Sequence, residues 1–555
     1  MSIQTNGSAA EDARGFWRGW LPALLGQFLF VVAVVSLSGP GRLDIIDGQP
    51  RYEVARSLVE HGDTVIRNPE VTFCVLPGRN GQRYSCYRLP QSLAGVVAIW
   101  SADATGPRDE MRRQFFFVLT SAVACGILAT FYALWFRRLG YRPISAISWS
   151  LGGIFCTPCW FYGTSVFDDI LGTTAVVMAL TLAWYGRQSK PRLFAGLAGL
   201  ALGLAFNCKQ PLGLFLLPVL ALTVKQGETW RSRLPRMALV LMGLGVGLLA
   251  YKSYEWYKFP PGSTAEHARL LAQYVPAFPG NPLAGFLGLL LSPGAGAFWY
   301  CPTLLLSLLG LRTWLREYRL FTQALLVACA GFTAFLCCLV FFKGDLSWGP
   351  RYLTLIFAVF WVFVPAAVNA HGWRPARLLL GLGLFVQLLG LSVDYHRLYV
   401  ELRFPSGFYQ GHPWIYFHPR AAHLVNRPRE IWEILTETQS AIAYSPTDPP
   451  TAAMPCPEFF ERGPEAVRKY RCFSSFRPWW ASMTFLSPHE RPVDLGSTAV
   501  LLLALAASGL VLMGIGCGRR ARLSQAPSIR EERPGVQEAT GCVRPFKVHA
   551  GAKRR

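Results

Sequence analysis

Long apolar runs alternate along this chain with short polar breaks rich in arginine and lysine. Twelve runs stand out, at about 17–37, 114–136, 143–163, 169–186, 193–208, 211–225, 237–256, 297–312, 320–342, 353–370, 377–394 and 497–517. A helix needs roughly 20 apolar residues to cross a hydrocarbon core of ~30 Å. The pattern therefore predicts an all-α polytopic membrane protein with about 12 transmembrane helices. Two further runs, Leu89 to Trp100 and Leu283 to Leu291, are too short to span and predict interfacial or re-entrant elements. The run from Trp17 to Ser38 is longer than the apolar core of a cleaved signal peptide, so it predicts an uncleaved anchor.

The breaks are not equivalent. Arg137, Arg138 and Arg142; Arg187, Lys190 and Arg192; Lys225, Arg231, Arg233 and Arg236; Arg312, Arg316 and Arg319; Arg374 and Arg377; and Arg519, Arg520 and Arg522 occupy every second loop. Positive charge marks the cytoplasmic side, which puts both termini in the cytoplasm. The formal net charge of +22 could suggest a nucleic-acid partner. Its place in these loops and in the tail excludes that reading, and 52% hydrophobic residues against 15% charged ones fix the class as membrane-embedded.

This topology leaves three sizeable segments outside the cytoplasm: the first loop (38–113), the loop around 257–296, and residues 395–496. The last is rich in Pro, Trp and Tyr and predicts a small α+β or irregular domain with one helix near Pro428 to Thr438. The predicted organisation is a cytoplasmic N-terminus (1–16), a transmembrane core (17–394), this outer domain (395–496), a last transmembrane helix (497–517) and a basic disordered cytoplasmic tail (518–555). Cys74 with Cys86, and Cys456 with Cys472, fall on the outer side, where disulfides persist, so two bridges are admissible. Cys156 and Cys159 form a CTPC run inside an apolar segment, where small sulfur side chains pack between helices.

The first outer loop carries the first candidate chemistry, DIIDGQPRYEVARSLVEHGD from Asp44 to Asp63. Pro50 suits a first helical turn and Gly62 a C-terminal end, so a helix over about 48–61 follows, with Asp47 in an N-cap position. Val54, Ala55, Leu58 and Val59 form one face and Arg51, Glu53, Arg56 and Glu60 the other, which predicts a helix lying in the interface plane. Asp44 and Asp47 then sit near headgroup depth, where capping and proton abstraction are both open to them. Lys209 interrupts an apolar stretch, and an ionisable residue there is a functional candidate as well as a snorkelling one. In KGDLSWGPRYL, Lys343 and Arg351 either anchor to headgroups or bind phosphate. Arg351 follows the rigid Gly349–Pro350 pair, with Trp348 and Tyr352 beside it, and a guanidinium so held suits bidentate phosphate capture. Asp168 and Asp169 begin the fourth predicted span, as caps or as part of the same site. Together these residues suit transfer from a lipid phosphate to a hydroxyl, with a carboxylate as base and cations on the departing phosphate.

The Asp44–Asp63 stretch resembles the first-loop motif of the C-type (GT-C fold) membrane glycosyltransferases, the group that includes protein O-mannosyltransferases and the lipid A aminoarabinose transferase. In that group an acidic residue is followed by a tyrosine, a small amphipathic helix and Gly-Asp, here Tyr52 and Gly62–Asp63. RNGQRYSCYRLPQSL, LLLSPGAGAFWYCPTLLL and SWGPRYL look like further signatures of bacterial proteins in the superfamily, so the resemblance covers most of 17–394. It implies the GT-C fold, a polyprenyl-phosphate sugar donor, a glycan, lipid or protein acceptor, an inverting displacement and a site facing the periplasm from the inner membrane. The family's catalytic acid maps onto Asp47 with Asp44 as neighbour; Arg351 and Lys209 map as contacts to the lipid phosphate. Gly48 stands where relatives often carry a second acid, and Asp47 to Tyr52 is one residue longer than usual. Some relatives use a divalent metal, but the sequence forms no clear ligand cluster. A flippase for a lipid-linked sugar and a non-catalytic scaffold of the same fold are the alternative readings.

Overall fold

The computed structural model of the chain describes residues 8–187, 190–224, 227–263, 270, 278–344, 347–401, 414–436, 476–485, 488 and 491–525. Helices dominate. Among the described residues, eight helices are long and apolar enough to cross a membrane: Trp20–Ser38, Glu110–Arg138, Pro191–Cys208, Trp230–Lys258, Arg319–Cys337, Arg351–His371, Trp373–Ser392 and Leu495–Gly518. Pro143–Phe155, Asp169–Tyr185, Gln210–Thr223 and Pro282–Leu291 are apolar but shorter.

Proline accounts for two of the four predicted spans that are not among these eight. The run at 143–163 is cut into Pro143–Phe155 and Cys159–Gly163, with Pro158 at the break. The run at 297–312 is cut at Cys301–Pro302 into Ala297–Tyr300 and Leu304–Glu317. Proline lacks the N–H that an α-helix interior needs and clashes with the preceding turn. Leu89 to Trp100 lies within a helix, Pro90–Ala104, too short to span. The last helix runs on to Gln525, past the tail boundary expected at 518.

The first and last helices pack against each other through small residues. A Cβ on Gly26 would lie 2.5 Å from the Gly509 carbonyl, and one on Gly509 equally close to the Gly26 carbonyl. Such contact between backbones is how helices associate where lipid removes the hydrophobic drive. Gly199, Gly203, Gly243 and Gly247 join Pro191–Cys208 to Trp230–Lys258 in the same way.

The first loop folds as a helix, a hairpin and a second helix. Gly48–His61 has the expected bounds, and Gly62 ends it in a left-handed conformation (φ 73°) that glycine adopts without strain. The expected polar face is not a solvent face: Arg51 and Glu53 are both 3% exposed. Arg51 pairs with Asp168 (3.1 Å) and Glu53 with Arg56 (3.0 Å), so partners in the fold take the place of water. Nor does the Asp47 side chain cap the helix. Val75–Pro77 and Arg83–Ser85 form an antiparallel pair with Leu76 opposite Tyr84. Buried Arg113 then ties three helices together, with both Asp103 oxygens 2.7 Å away and Glu60 at 2.5 Å.

Within the 395–496 segment, His423–Leu435 is a helix, near the place expected for one. Cys456 and Cys472 lie outside the described residues. The segment after 476 returns to the first helix: the Trp479 and Trp480 indoles donate to the Ser36 (2.9 Å) and Leu37 (2.8 Å) carbonyls. Gly509→Leu is expected to destabilise the fold by about 1–3 kcal/mol, as overpacking does, whereas Gly514→Leu, where a Cβ meets nothing within 4 Å, should be neutral. Thermal unfolding of both variants in detergent makes the comparison.

Candidate functional site

Four breaks between helices deliver the site. Asp47 precedes Gly48–His61, and Asp168 precedes Asp169–Tyr185. Lys209 sits in an extended conformation (φ −146°, ψ 124°) between two helices. Arg351 opens its span behind Gly349, whose φ of 60° and contact with the Tyr300 ring admit no side chain.

These residues, with Arg51, form a closed ring of alternating charge. Arg351 Nη1 lies 3.6 Å from Asp47 Oδ2, and Arg351 Nε lies 3.6 Å from Asp169 Oδ2. Lys209 Nζ donates to Asp169 Oδ1 at 2.5 Å and lies 3.5 Å from Asp168 Oδ1. Arg51 Nη2 bonds Asp168 Oδ2 at 3.1 Å, and its Nη1 reaches the Asp47 carbonyl at 3.3 Å. Aromatic faces back the cations: Phe167 under Arg351 (4.1 Å), Tyr352 under Lys209 (4.5 Å) and Tyr87 under Arg51 (3.9 Å). Arg351 Nη2 also donates to the Tyr352 hydroxyl at 3.0 Å.

The electrostatics follow from that ring. Burial opposes charge on Asp168, but Arg51, Lys209 and Arg351 outweigh it and hold its pKa below the ordinary carboxylate range. Burial opposes charge on Lys209 too; Asp169 and Asp168 overcome it and raise its pKa. The two Arg351 contacts, at 3.6 Å, are the longest links of the ring, just beyond Lys209–Asp168 at 3.5 Å. The Asp47 side chain keeps 20% of its surface exposed.

Asp44 is placed differently. Its side chain is fully enclosed, accepting from Ser165 Oγ at 2.8 and 2.9 Å and from Arg477 Nη2 at 2.9 Å. Arg477 also donates to Thr164 Oγ1 (2.7 Å) and lies over the Phe161 ring. Three other candidates stand apart from the ring. Tyr52 packs edge-on against Phe117, and Trp348 is buried between Phe161 and Tyr300. Lys343 is buried with its Nζ 5.3 Å from the Tyr416 ring.

Reading the sequence missed Arg51, Phe167 and Tyr87. The Asp47–Arg51 spacing of four residues was a usable signal for Arg51; nothing in the sequence marked Tyr87. Among the described residues no three His, Cys, Asp or Glu side chains are grouped to hold a metal ion. The three carboxylates here already face cations, so this donor set does not fit a divalent ion. In the CTPC run, Cys159 is buried and its carbonyl accepts from Cys125 Sγ at 3.2 Å, a packing role.

No family model and no curated protein matches the chain. It is similar to the solved structure of ArnT from Cupriavidus metallidurans bound to undecaprenyl phosphate, at 14% identity over 92% of this chain and 82% of that one, TM-score 0.45. It is also similar to the Archaeoglobus fulgidus oligosaccharyltransferase in complex with Zn and sulfate (12% identity, 65% of this chain and 51% of that one, TM-score 0.36). The third is the archaeal oligosaccharyltransferase AglB from the same organism, in complex with an inhibitory peptide and a dolichol-phosphate (12%, 70% and 59%, TM-score 0.37). These are glycosyltransferases of the GT-C fold.

The contrast between the two aspartates is measurable. Asp44→Asn leaves the Arg477 charge enclosed without its partner and should cost about 3–5 kcal/mol, while Asp47→Asn should stay within about 1 kcal/mol; thermal unfolding separates them. Acid sensitivity has a defined sign. Burial opposes charge on Asp394, but His396 (2.9 Å), Arg42 (3.7 Å) and Arg477 hold its pKa down. With depressed folded-state pKa values, Asp168 and Asp394 contribute stability that is complete above the unfolded value of about 4 and is lost as pH falls below it. Melting temperatures of wild type and Asp394→Asn from pH 5 downward should converge as the pH drops.

Proposed function

We propose that this protein is a membrane glycosyltransferase that moves a sugar from a polyprenyl-phosphate donor to an acceptor hydroxyl. One observation carries the reading: Lys209 and Arg351 are held on aromatic and carboxylate supports beside the partly exposed Asp47. The motif resemblance supports the same donor class, and the alternating basic loops support a site on the periplasmic face of the inner membrane.

In this reading the donor phosphate enters at the loosest links and takes Arg351 over from Asp47, with Lys209, still held on Asp169, as its second contact. Asp47, released from Arg351, accepts the proton of the acceptor hydroxyl. The acceptor oxygen attacks the anomeric carbon from the face opposite the phosphate, the carbon–oxygen bond to phosphate breaks, and configuration inverts. Negative charge grows on the departing polyprenyl phosphate, where the guanidinium and ammonium stabilise it. Asp168 and Asp169 keep Lys209 pointed at the phosphate, and Arg51 fixes Asp168. Asp44, enclosed against Arg477 and Ser165, cannot reach an acceptor and serves the scaffold.

Reconstituted protein, supplied with radiolabelled polyprenyl-phosphate sugars and membrane acceptors, tests this. Asp47→Asn should lower transfer by about 10²–10⁴-fold, the usual contribution of a general base. Arg351→Gln should lower it by about 10²–10³-fold, as loss of an electrostatic stabiliser does. Wild-type rates in Asp47→Asn would remove the base from the mechanism. Movement of the lipid across vesicles without sugar transfer would favour a flippase, and neither activity a scaffold.

A further inference from the structure

The first-loop hairpin holds two cysteines that the proposed chemistry does not use. Val75 faces Ser85 in an antiparallel pair, and the next step of that register sets Cys74 opposite Cys86. The Cys86 N–H donates to the Cys74 carbonyl at 2.8 Å. Residues so opposed have Cα atoms about 5.5 Å apart, inside the roughly 4.4–6.8 Å that a disulfide spans. Both thiols are free in the structure. Cys74 also holds φ at 52°, a left-handed conformation that an L side chain seldom adopts unless something fixes it.

The residue after Cys86 is Tyr87, the platform under Arg51. Its stretch of chain is clasped from several directions. Lys258 Nζ donates to the Ser85 (3.0 Å) and Tyr87 (3.5 Å) carbonyls, and Arg88 Nη1 donates to the Cys86 carbonyl (2.9 Å). Glu255 pairs with both cations, 2.8 Å from Lys258 and 3.0 Å from Arg88. Strand pairing and clasp thus bring Tyr87 to the site, and the cysteine pair stands at the end of the strand that leads into it.

We propose that Cys74 and Cys86 form a cross-strand disulfide that fixes Tyr87 as the support for Arg51 and so positions the carboxylates of the ring. The bond forms by exchange with an external disulfide: the two thiols give one S–S bond, and the oxidant leaves as two thiols. Burial and the neighbouring Cys74 push the Cys86 thiol pKa up. The consequence for catalysis rests on the transferase reading; the bond itself does not.

The test uses full-length protein, alkylated before extraction from its native membranes and never reduced. Peptide mapping by mass spectrometry should recover Cys74 linked to Cys86; recovery of both as alkylated thiols would overturn the crosslink. Hydrogen–deuterium exchange over 83–91 and the transfer rate are then followed with and without reductant, in wild type and in the Cys74→Ser, Cys86→Ser double variant. Reductant should speed exchange and slow wild-type transfer about tenfold, the scale of a small misplacement of catalytic groups. The double variant should show both changes unprompted and ignore reductant. A linked peptide whose reduction changes neither readout would overturn the positioning role. Absence of transfer under every condition would count against the transferase alone, because mapping and exchange still decide the crosslink and its hold on the loop.

Discussion

Charge buried where apolar helices end must be compensated by charge, and the fold is organised around that requirement. An isolated ion taken out of water costs several kcal/mol even after relaxation. Three cations and three carboxylates answer this in a closed ring from Asp47 through Arg351, Asp169, Lys209, Asp168 and Arg51 back to the Asp47 carbonyl. No member can leave without exposing its neighbours' charge. Helices far apart in the chain are thereby held together at one end.

A ring with no net charge is also a site in waiting. Its tight links hold Lys209 on Asp169 and Arg51 on Asp168, at 2.5 and 3.1 Å. Its loose links are at Arg351. In the proposed reaction a phosphate entering there would exchange one anion for another, and the carboxylate it would release is Asp47, whose side chain is 20% exposed.

The second charge pair has the opposite character. Asp44 and Arg477 are sealed from solvent and bonded to Ser165 and Thr164, and Trp479 and Trp480 close over the end of the first helix beside them. A pair of this kind fixes geometry. It brings the segment around Arg477 against the start of the first loop, three residues before Asp47. The two aspartates of one motif thus divide the work of holding the site and presenting it.

Much of this was legible along the chain because it depends on neighbours. Apolar length marked the membrane helices, Gly62 marked the end of Gly48–His61, and a broken apolar run singled out Lys209. Where local rules competed, prolines cut two predicted spans. The partners of the charged residues were another matter. Asp44 and Asp47 stand three residues apart with the same side chain, and nothing local separates them. One is enclosed by Arg477, 433 residues away, and the other faces Arg351. Arg51, assigned to a solvent face by helical periodicity, is buried because Asp168 lies opposite. The sequence by itself determined which segments are helical and membrane-embedded, since hydropathy and capping act over a few residues. Only the tertiary structure decided which charges meet, because Coulomb energy in a poorly screened interior depends on separation in space and not along the chain.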